Sequence, residues 1–187
     1  MSFMHDPAAT PLDPVLFVMV ALPASGKSTR AKEIERERRA LRLTPDEWMI
    51  PLFDDHDADG KRNVLEGRFI WLARRALRCG VNVILDFGVW AKVERTALRA
   101  IAADAGASCE LVYLEIDEAE QRRRRDDRAR VESDTTFYIT DEVLADYRRR
   151  FEVPDAAELA GTALDAPPAG YASWRAWVAE WWPTSMS

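Results

Sequence analysis

Ala21-Leu22-Pro23-Ala24-Ser25-Gly26-Lys27-Ser28-Thr29 is the stretch that decides the fold. The apolar run Val15-Leu16-Phe17-Val18-Met19-Val20 precedes it, and a charged, helix-forming stretch over residues 30–39 follows. Strand, turn of small residues, Gly-Lys-Ser, helix is the order that a phosphate-binding loop needs. The turn from Pro23, Ala24, Ser25 and Gly26 into Lys27, Ser28 and Thr29 is expected to wrap a polyphosphate. Backbone N–H groups and the helix N-terminus would face the anion. Lys27 is expected to reach the β- and γ-phosphates, and Ser28 to hold Mg2+. Ala21 stands where the pattern G-x-x-x-x-G-K-[ST] has its first Gly, and it fits there if its φ is negative. The competing explanation is a chance Gly-Lys-Ser at a helix start.

A chain of 187 residues suggests one domain with a real core. Hydrophobic residues at 48% and charged ones at 31% form an ordinary globular balance. A net charge of -6 argues against general affinity for nucleic-acid backbones, so a nucleic-acid partner is not expected. Cys79 and Cys109 form no C-x-x-C pair and read as buried, reduced core residues. No apolar run is long enough to span a membrane. Residues 1–14 show no basic or apolar leader pattern and read as a loose tail. The expected location is cytoplasmic, where ATP and Mg2+ are available.

Residues 15–20 form a continuous apolar run, as a central strand of a parallel sheet requires. A helix is expected over 27–40 and a short strand over 41–43. A short helix follows, capped by Thr44 or Asp46, with Pro45 in its first turn. The acidic stretch 54–60 contains Asp55-x-Asp57-x-Asp59-Gly60 and, six residues on, Glu66, which fits a calcium-loop pattern. Arg62 stands where that loop has an apolar residue, so a solvated turn is the better reading. Further on, the spacing predicts a helix over 62–78, a strand over 81–86 ending in Asp86, a helix over 91–105 and a strand over 109–116. A very basic helix over 118–130 comes next, then a turn over 133–136 and a helix over 141–151 with Thr140 as N-cap.

Residues 15–155 thus read as one domain with a lid at about 118–140. A Trp-rich extension over 156–187 is expected to dock on it or to form a homodimer face, since Trp174, Trp177 and Trp181 share one helix face. The alternation gives an α/β class: three layers, α/β/α, with helices on both faces of a mainly parallel, five-stranded sheet. Ligands of such sheets sit at the C-terminal strand ends. The Gly26-Lys27 turn, Asp46, Asp86 and the entry to the basic helix all fall there.

The chain carries no Asn-Lys-x-Asp base-reading motif of the GTPase kind. A compact chain with an arginine-rich segment late in the domain suits a small kinase, whose lid brings Arg to the transferring phosphoryl group. Asp46 is the candidate to orient an accepting hydroxyl and take its proton; its alternative role is a helix cap. Asp86 could orient Mg2+ water or bind the acceptor, or pair structurally with Lys27 or an Arg. Within Arg122-Arg123-Arg124-Arg125-Asp126-Asp127-Arg128, Arg124 and Arg128 lie four apart on one face and are the candidates to reach the phosphates. A charged surface helix is the alternative for the whole run.

The segments at 22–29, 43–48 (Leu-Thr-Pro-Asp-Glu-Trp), 84–90 (Ile-Leu-Asp-Phe-Gly-Val-Trp) and 135–140 (Thr-Thr-Phe-Tyr-Ile-Thr) together resemble the AAA_33-type P-loop kinases. More distantly, they are similar to chloramphenicol phosphotransferase and zeta-toxin kinases. The resemblance covers residues 15–155. It implies a nucleoside-monophosphate-kinase-like fold and transfer of a phosphoryl group from ATP (or GTP) to the hydroxyl of a small molecule. Under it, Lys27 and Ser28 take the phosphate and Mg2+ positions, Asp46 that of the base, and Arg124 and Arg128 those of the lid arginines. The tail over 156–187 lies outside it. A polynucleotide 5′-hydroxyl kinase and a non-catalytic nucleotide-binding switch remain the rival functions.

Overall fold

The computed structural model describes residues 13–55, 58–131, 139–162 and 164–187. Four parallel strands make the sheet, in the order β2-β3-β1-β4: β1 Val15–Ala21, β2 Leu41–Leu43, β3 Val83–Leu85 and β4 Ser108–Leu114. The fifth strand expected from sequence is absent among the described residues. Strands β3 and β4 are also shorter than the apolar runs that encode them. The chain leaves β1 toward β2 on one side and reaches β4 on the other, so the C-terminal edge of β1 is a topological switch point.

Strand β1 explains the layering. Its side chains alternate across the sheet. Leu16, Val18 and Val20 enter one core with residues of helices α3 (Lys61–Arg78) and α4 (Lys92–Asp104). Phe17 and Met19 enter a second core with Ala31 and Ile34 of α1 (Lys27–Arg38). Both faces are covered, which is why the run is apolar at every position. Burying each large side chain stabilises the fold by about 1.5–3 kcal/mol.

The remaining helices are α2 (Pro45–Phe53), α5 (Glu118–Val131), α6 (Asp141–Arg150), α7 (Ala156–Leu159) and α8 (Trp174–Trp181). Pro45 opens α2 and Asp46 and Glu47 occupy its first turn, where the helix dipole favours carboxylates. Thr140 caps α6 by accepting the Val143 N–H. The turn expected at 133–136 and part of the acidic loop, residues 56 and 57, lie outside the described residues.

The tail packs on the domain. Trp177, Val178 and Trp182 are buried against the core that α3 and α4 share. Trp181 stacks on Trp177 at 5.2 Å, and Trp182 meets Trp177 edge-on at 5.8 Å. A Cβ on Gly67 of α3 would lie 1.9 Å from the carbonyl oxygen of Pro183, so only glycine lets the tail come this close. One of the two cysteines differs from expectation. Cys79 is exposed at the end of α3, while Cys109 packs against the core, where burial pushes its thiol up to about 12. Among the described residues, no helix is long and apolar enough to cross a membrane.

Candidate functional site

The loop between β1 and α1 is shaped by two left-handed residues. Ala21 closes β1, paired with Leu114, and the indole N–H of Trp90 donates to its carbonyl at 3.2 Å. Its position therefore asks nothing of glycine. The positive φ values fall on Ala24 (64°) and Gly26 (92°). Ala24 is the residue with a real conformational cost, about 1–2 kcal/mol for an L side chain in the left-handed region. Gly26 is the N-cap of α1 and no side chain caps the helix, so the first-turn N–H groups are left for an incoming anion. The Ser25 hydroxyl is buried without a hydrogen-bond partner. An uncapped helix start beside an orphaned buried hydroxyl fits a bound phosphate.

Lys27 reaches back over the sheet edge. Its ammonium pairs with the Asp86 carboxylate and also donates to the Asp86 carbonyl at 3.0 Å. Asp86 follows β3, and its own N–H donates to Leu43 of β2 at 2.9 Å, which fixes it beside the end of β2. Its side chain is fully buried. The Thr44 hydroxyl donates to its second oxygen at 3.1 Å, and Arg42 approaches that oxygen at 3.4 Å. Thr44 is the N-cap residue of α2, yet its hydroxyl serves Asp86 instead of the helix. Arg42 also donates to Glu35 at 2.9 Å, to Glu47 at 2.6 Å and to the Thr44 hydroxyl. The buried carboxylate at the head of β3 thus stands between two cations, as a buried charge must.

Helix α5 lies against the loop. Gln121, fully buried, donates to the Pro23 carbonyl at 2.9 Å and accepts from Arg148 at 2.8 Å. Arg124 donates to the Ser25 carbonyl at 3.2 Å and to Glu120 at 2.6 Å. The hydrogen bonds of Arg123 and Arg124 hold the Glu120 carboxyl down at about 2. Arg128 is exposed one turn further along. Arg125 is buried and ties α5 to α6 through Asp141 at 2.5 Å and Ile139 at 3.1 Å. Of the arginine run, Arg124 hydrogen-bonds the phosphate loop and Arg125 anchors α6.

Asp46 sits in the first turn of α2, just beyond the end of β2. Its side chain is 61% exposed and meets Arg62 of α3 at 2.8 Å. Arg62 reaches Glu66 at 3.4 Å with its Nε. Glu66 is largely buried, and burial pushes its carboxyl up to about 7, against the opposing pull of Arg62 and a hydrogen bond from Trp182. Ser28 and Thr29 are exposed in the first turn of α1.

The comparisons with known proteins bear on this arrangement. The model of the AAA_33 family, described as an AAA domain, matches residues 16–154. The chain belongs to the AAA_33 family. Kti12 of Chaetomium thermophilum, solved in complex with ADP-AlF3, is 22% identical with a TM-score of 0.60; the match covers 92% of this chain and 100% of that one. A sugar kinase from Janibacter sp. HTCC2649 is 14% identical over 93% of this chain and 98% of its own, with a TM-score of 0.56. A gluconokinase from Sinorhizobium meliloti 1021 is 14% identical over 95% and 91%, with a TM-score of 0.53. At these identities the likeness is one of fold, that of the P-loop kinases. No curated protein matches the chain in sequence.

Several residues of the AAA_33 domain that shape the site are given no role by the sequence reading. Trp90 buttresses Ala21, and its own carbonyl, like that of Glu152, accepts from the buried Arg95. Arg95 forms a two-pronged pair with Glu158 at 2.8 and 3.1 Å, just beyond the family match. Arg42 and Gln121 look in sequence like ordinary surface residues of a charged strand and a charged helix. Their roles come from partners 44 and 98 residues away.

Proposed function

We propose that this AAA_33 protein is an ATP- and Mg2+-dependent kinase that transfers the γ-phosphoryl group to a hydroxyl of a small molecule. The observation that carries the reading is the convergence of Lys27, Asp86 and Arg124 on an uncapped phosphate loop, with Asp46 past the end of β2 on the same edge of the sheet. Lys27 pairs with Asp86, and a triphosphate would draw its ammonium onto the β- and γ-oxygens. The helix N-terminus and the N–H groups of the loop would bind the remaining charge. Arg124 bonds the loop at Ser25, beside Gly26, where its guanidinium can neutralise the oxygens of the transferring group. Asp46 would accept the acceptor's hydroxyl proton as that oxygen attacks the γ-phosphorus and the bond to the bridging oxygen of ADP breaks. Ser28 would hold Mg2+ with Asp86 behind it, and the ion would supply charge neutralisation between the phosphates.

The experiment is incubation with labelled ATP, Mg2+ and a broad pool of small hydroxyl compounds, with Lys27→Ala as control. Transfer of label to a compound in the pool, lost in the variant, is the expected result. Tight ATP binding with no transfer across the pool overturns the kinase reading in favour of a nucleotide-binding switch.

A further inference from the structure

The turn that leads into Gly26 is gripped by helix α5. The Ser25 N–H donates to the Leu22 carbonyl at 3.3 Å, so residues 22–25 form a turn with Pro23 in its second position and Ala24 in its third. The φ of Ala24 is 64°. Pro second and a positive φ third is the pattern of a type II turn. Its third position favours glycine, because an L side chain there crowds the following carbonyl oxygen. The carbonyls of the residues on either side of Ala24 are both bound by α5. Gln121 donates to that of Pro23 at 2.9 Å, and Arg124, one turn on, donates to that of Ser25 at 3.2 Å. Gln121 is fully buried, and its amide has one usable orientation. Arg148 of α6, a donor only, gives to the amide oxygen at 2.8 Å and to the Ile116 carbonyl at 3.0 Å, so the amide nitrogen is left to face the loop.

We propose that α5 is a clamp for the phosphate loop: Gln121 and Arg124 hold Ala24 in the left-handed conformation, and Gln121 is thereby a positioning residue for nucleotide binding. The proposal rests on the reading of residues 23–29 as the triphosphate site. Three consecutive peptide groups are held. Gln121 fixes Pro23–Ala24, the turn bond to Leu22 fixes Ala24–Ser25, and Arg124 fixes Ser25–Gly26. An alanine free of such bonds favours negative φ. Rotating Ala24 there would re-aim the Ser25 and Gly26 peptides, and with them the entry to α1, whose uncapped N–H groups face the anion. The strain of a left-handed alanine is thus offset by side chains 98 and 99 residues away in sequence from the carbonyls they bind. The nucleotide site takes its shape when α5 docks. Arg124 shapes the loop in addition to the role proposed for it at the transferring group.

The test reads the Ala24 backbone and the nucleotide affinity separately. In the nucleotide-free protein, NMR reports a positive φ at Ala24 as a short distance between its own amide and α protons. Gln121→Met keeps the side-chain length and removes the donor to Pro23; Arg124→Met removes the donor to Ser25. Each is expected to lengthen that distance by populating negative φ. Calorimetry then compares Gln121→Met in two chains. It is expected to weaken MgADP binding about tenfold where residue 24 is alanine, and no more than about twofold in the Ala24→Gly chain, because glycine adopts a positive φ unaided. A general loss of structure would not be repaired by that glycine. An Ala24 that stays left-handed in both variants, or an equal loss of affinity in the two chains, overturns the proposal. Arg124 is half-exposed, so its variant decides the NMR comparison even if Gln121→Met does not fold. That comparison uses no nucleotide, so its failure is separate from failure of the kinase reading, which Lys27→Ala and labelled ATP test on their own.

Discussion

The two halves of the site are built differently. The phosphate half is local: residues 21–29 supply the loop, the uncapped helix start and Lys27, and one long-range carboxylate, Asp86, completes it. The half proposed to meet the acceptor has no continuous segment. Asp46 meets Arg62 of α3, and Arg62 also reaches Glu66. A backbone cradle tolerates sequence change as long as its φ values can be met. An assembled cluster of side chains changes with each partner.

Lys27→Ala strikes the local half and has the largest expected effect. It removes the phosphate-binding cation and leaves the buried Asp86 with Arg42 as its remaining cation. MgADP affinity measured by calorimetry should fall by at least about a hundredfold, the scale of a lost charge-assisted contact. Gly67→Ala strikes the assembled half. Forcing a Cβ against the Pro183 carbonyl should cost about 1–3 kcal/mol in denaturant unfolding, with MgADP affinity unchanged. Loss of nucleotide binding in that variant would break the separation of the halves.

Glu66→Gln sharpens it through pH. The folded-state value near 7 lies above the ordinary 4.5, so the folded protein holds this proton more tightly than the unfolded chain does. That contributes stability which is fully present below pH 4.5 and is lost as pH rises through 7, about 2–3 kcal/mol in all. Denaturant unfolding at several pH values should therefore show the wild-type protein losing stability relative to Glu66→Gln across this window. Ala24→Gly is the smallest effect. Relieving the left-handed alanine should raise stability by about 0.5–1 kcal/mol, offset in part by the greater freedom of glycine in the unfolded chain.

The same contrast marks what could be read in the sequence. The continuous apolar run of β1, Gly-Lys-Ser after it and the carboxylate closing β3 are local signals; they led directly to the layered parallel sheet, while the pairing of Asp86 with Lys27 stood only as the alternative to a Mg2+ or acceptor role. Ala21 looked like the departure in the loop because the pattern is written in residue types. Backbone angles show that Ala21 is ordinary strand and that Ala24 bears the strain. A fifth strand did not form among the described residues, and Cys79 stands exposed because α3 ends there. In the arginine run, helical spacing paired Arg124 with Arg128. Which of them meets the loop depends on where α5 docks, and Gln121 sets that by its bond to Pro23. The meeting of Asp46 with Arg62 lies beyond any spacing rule, since α2 and α3 must first be folded together.

The central claim is that phosphate binding and acceptor activation are separable. Asp46→Asn tests it most directly, with MgADP affinity and transfer of label from ATP measured on the same preparation. The account predicts wild-type affinity with transfer reduced by about 10²- to 10⁴-fold. Full turnover in the variant would contradict it.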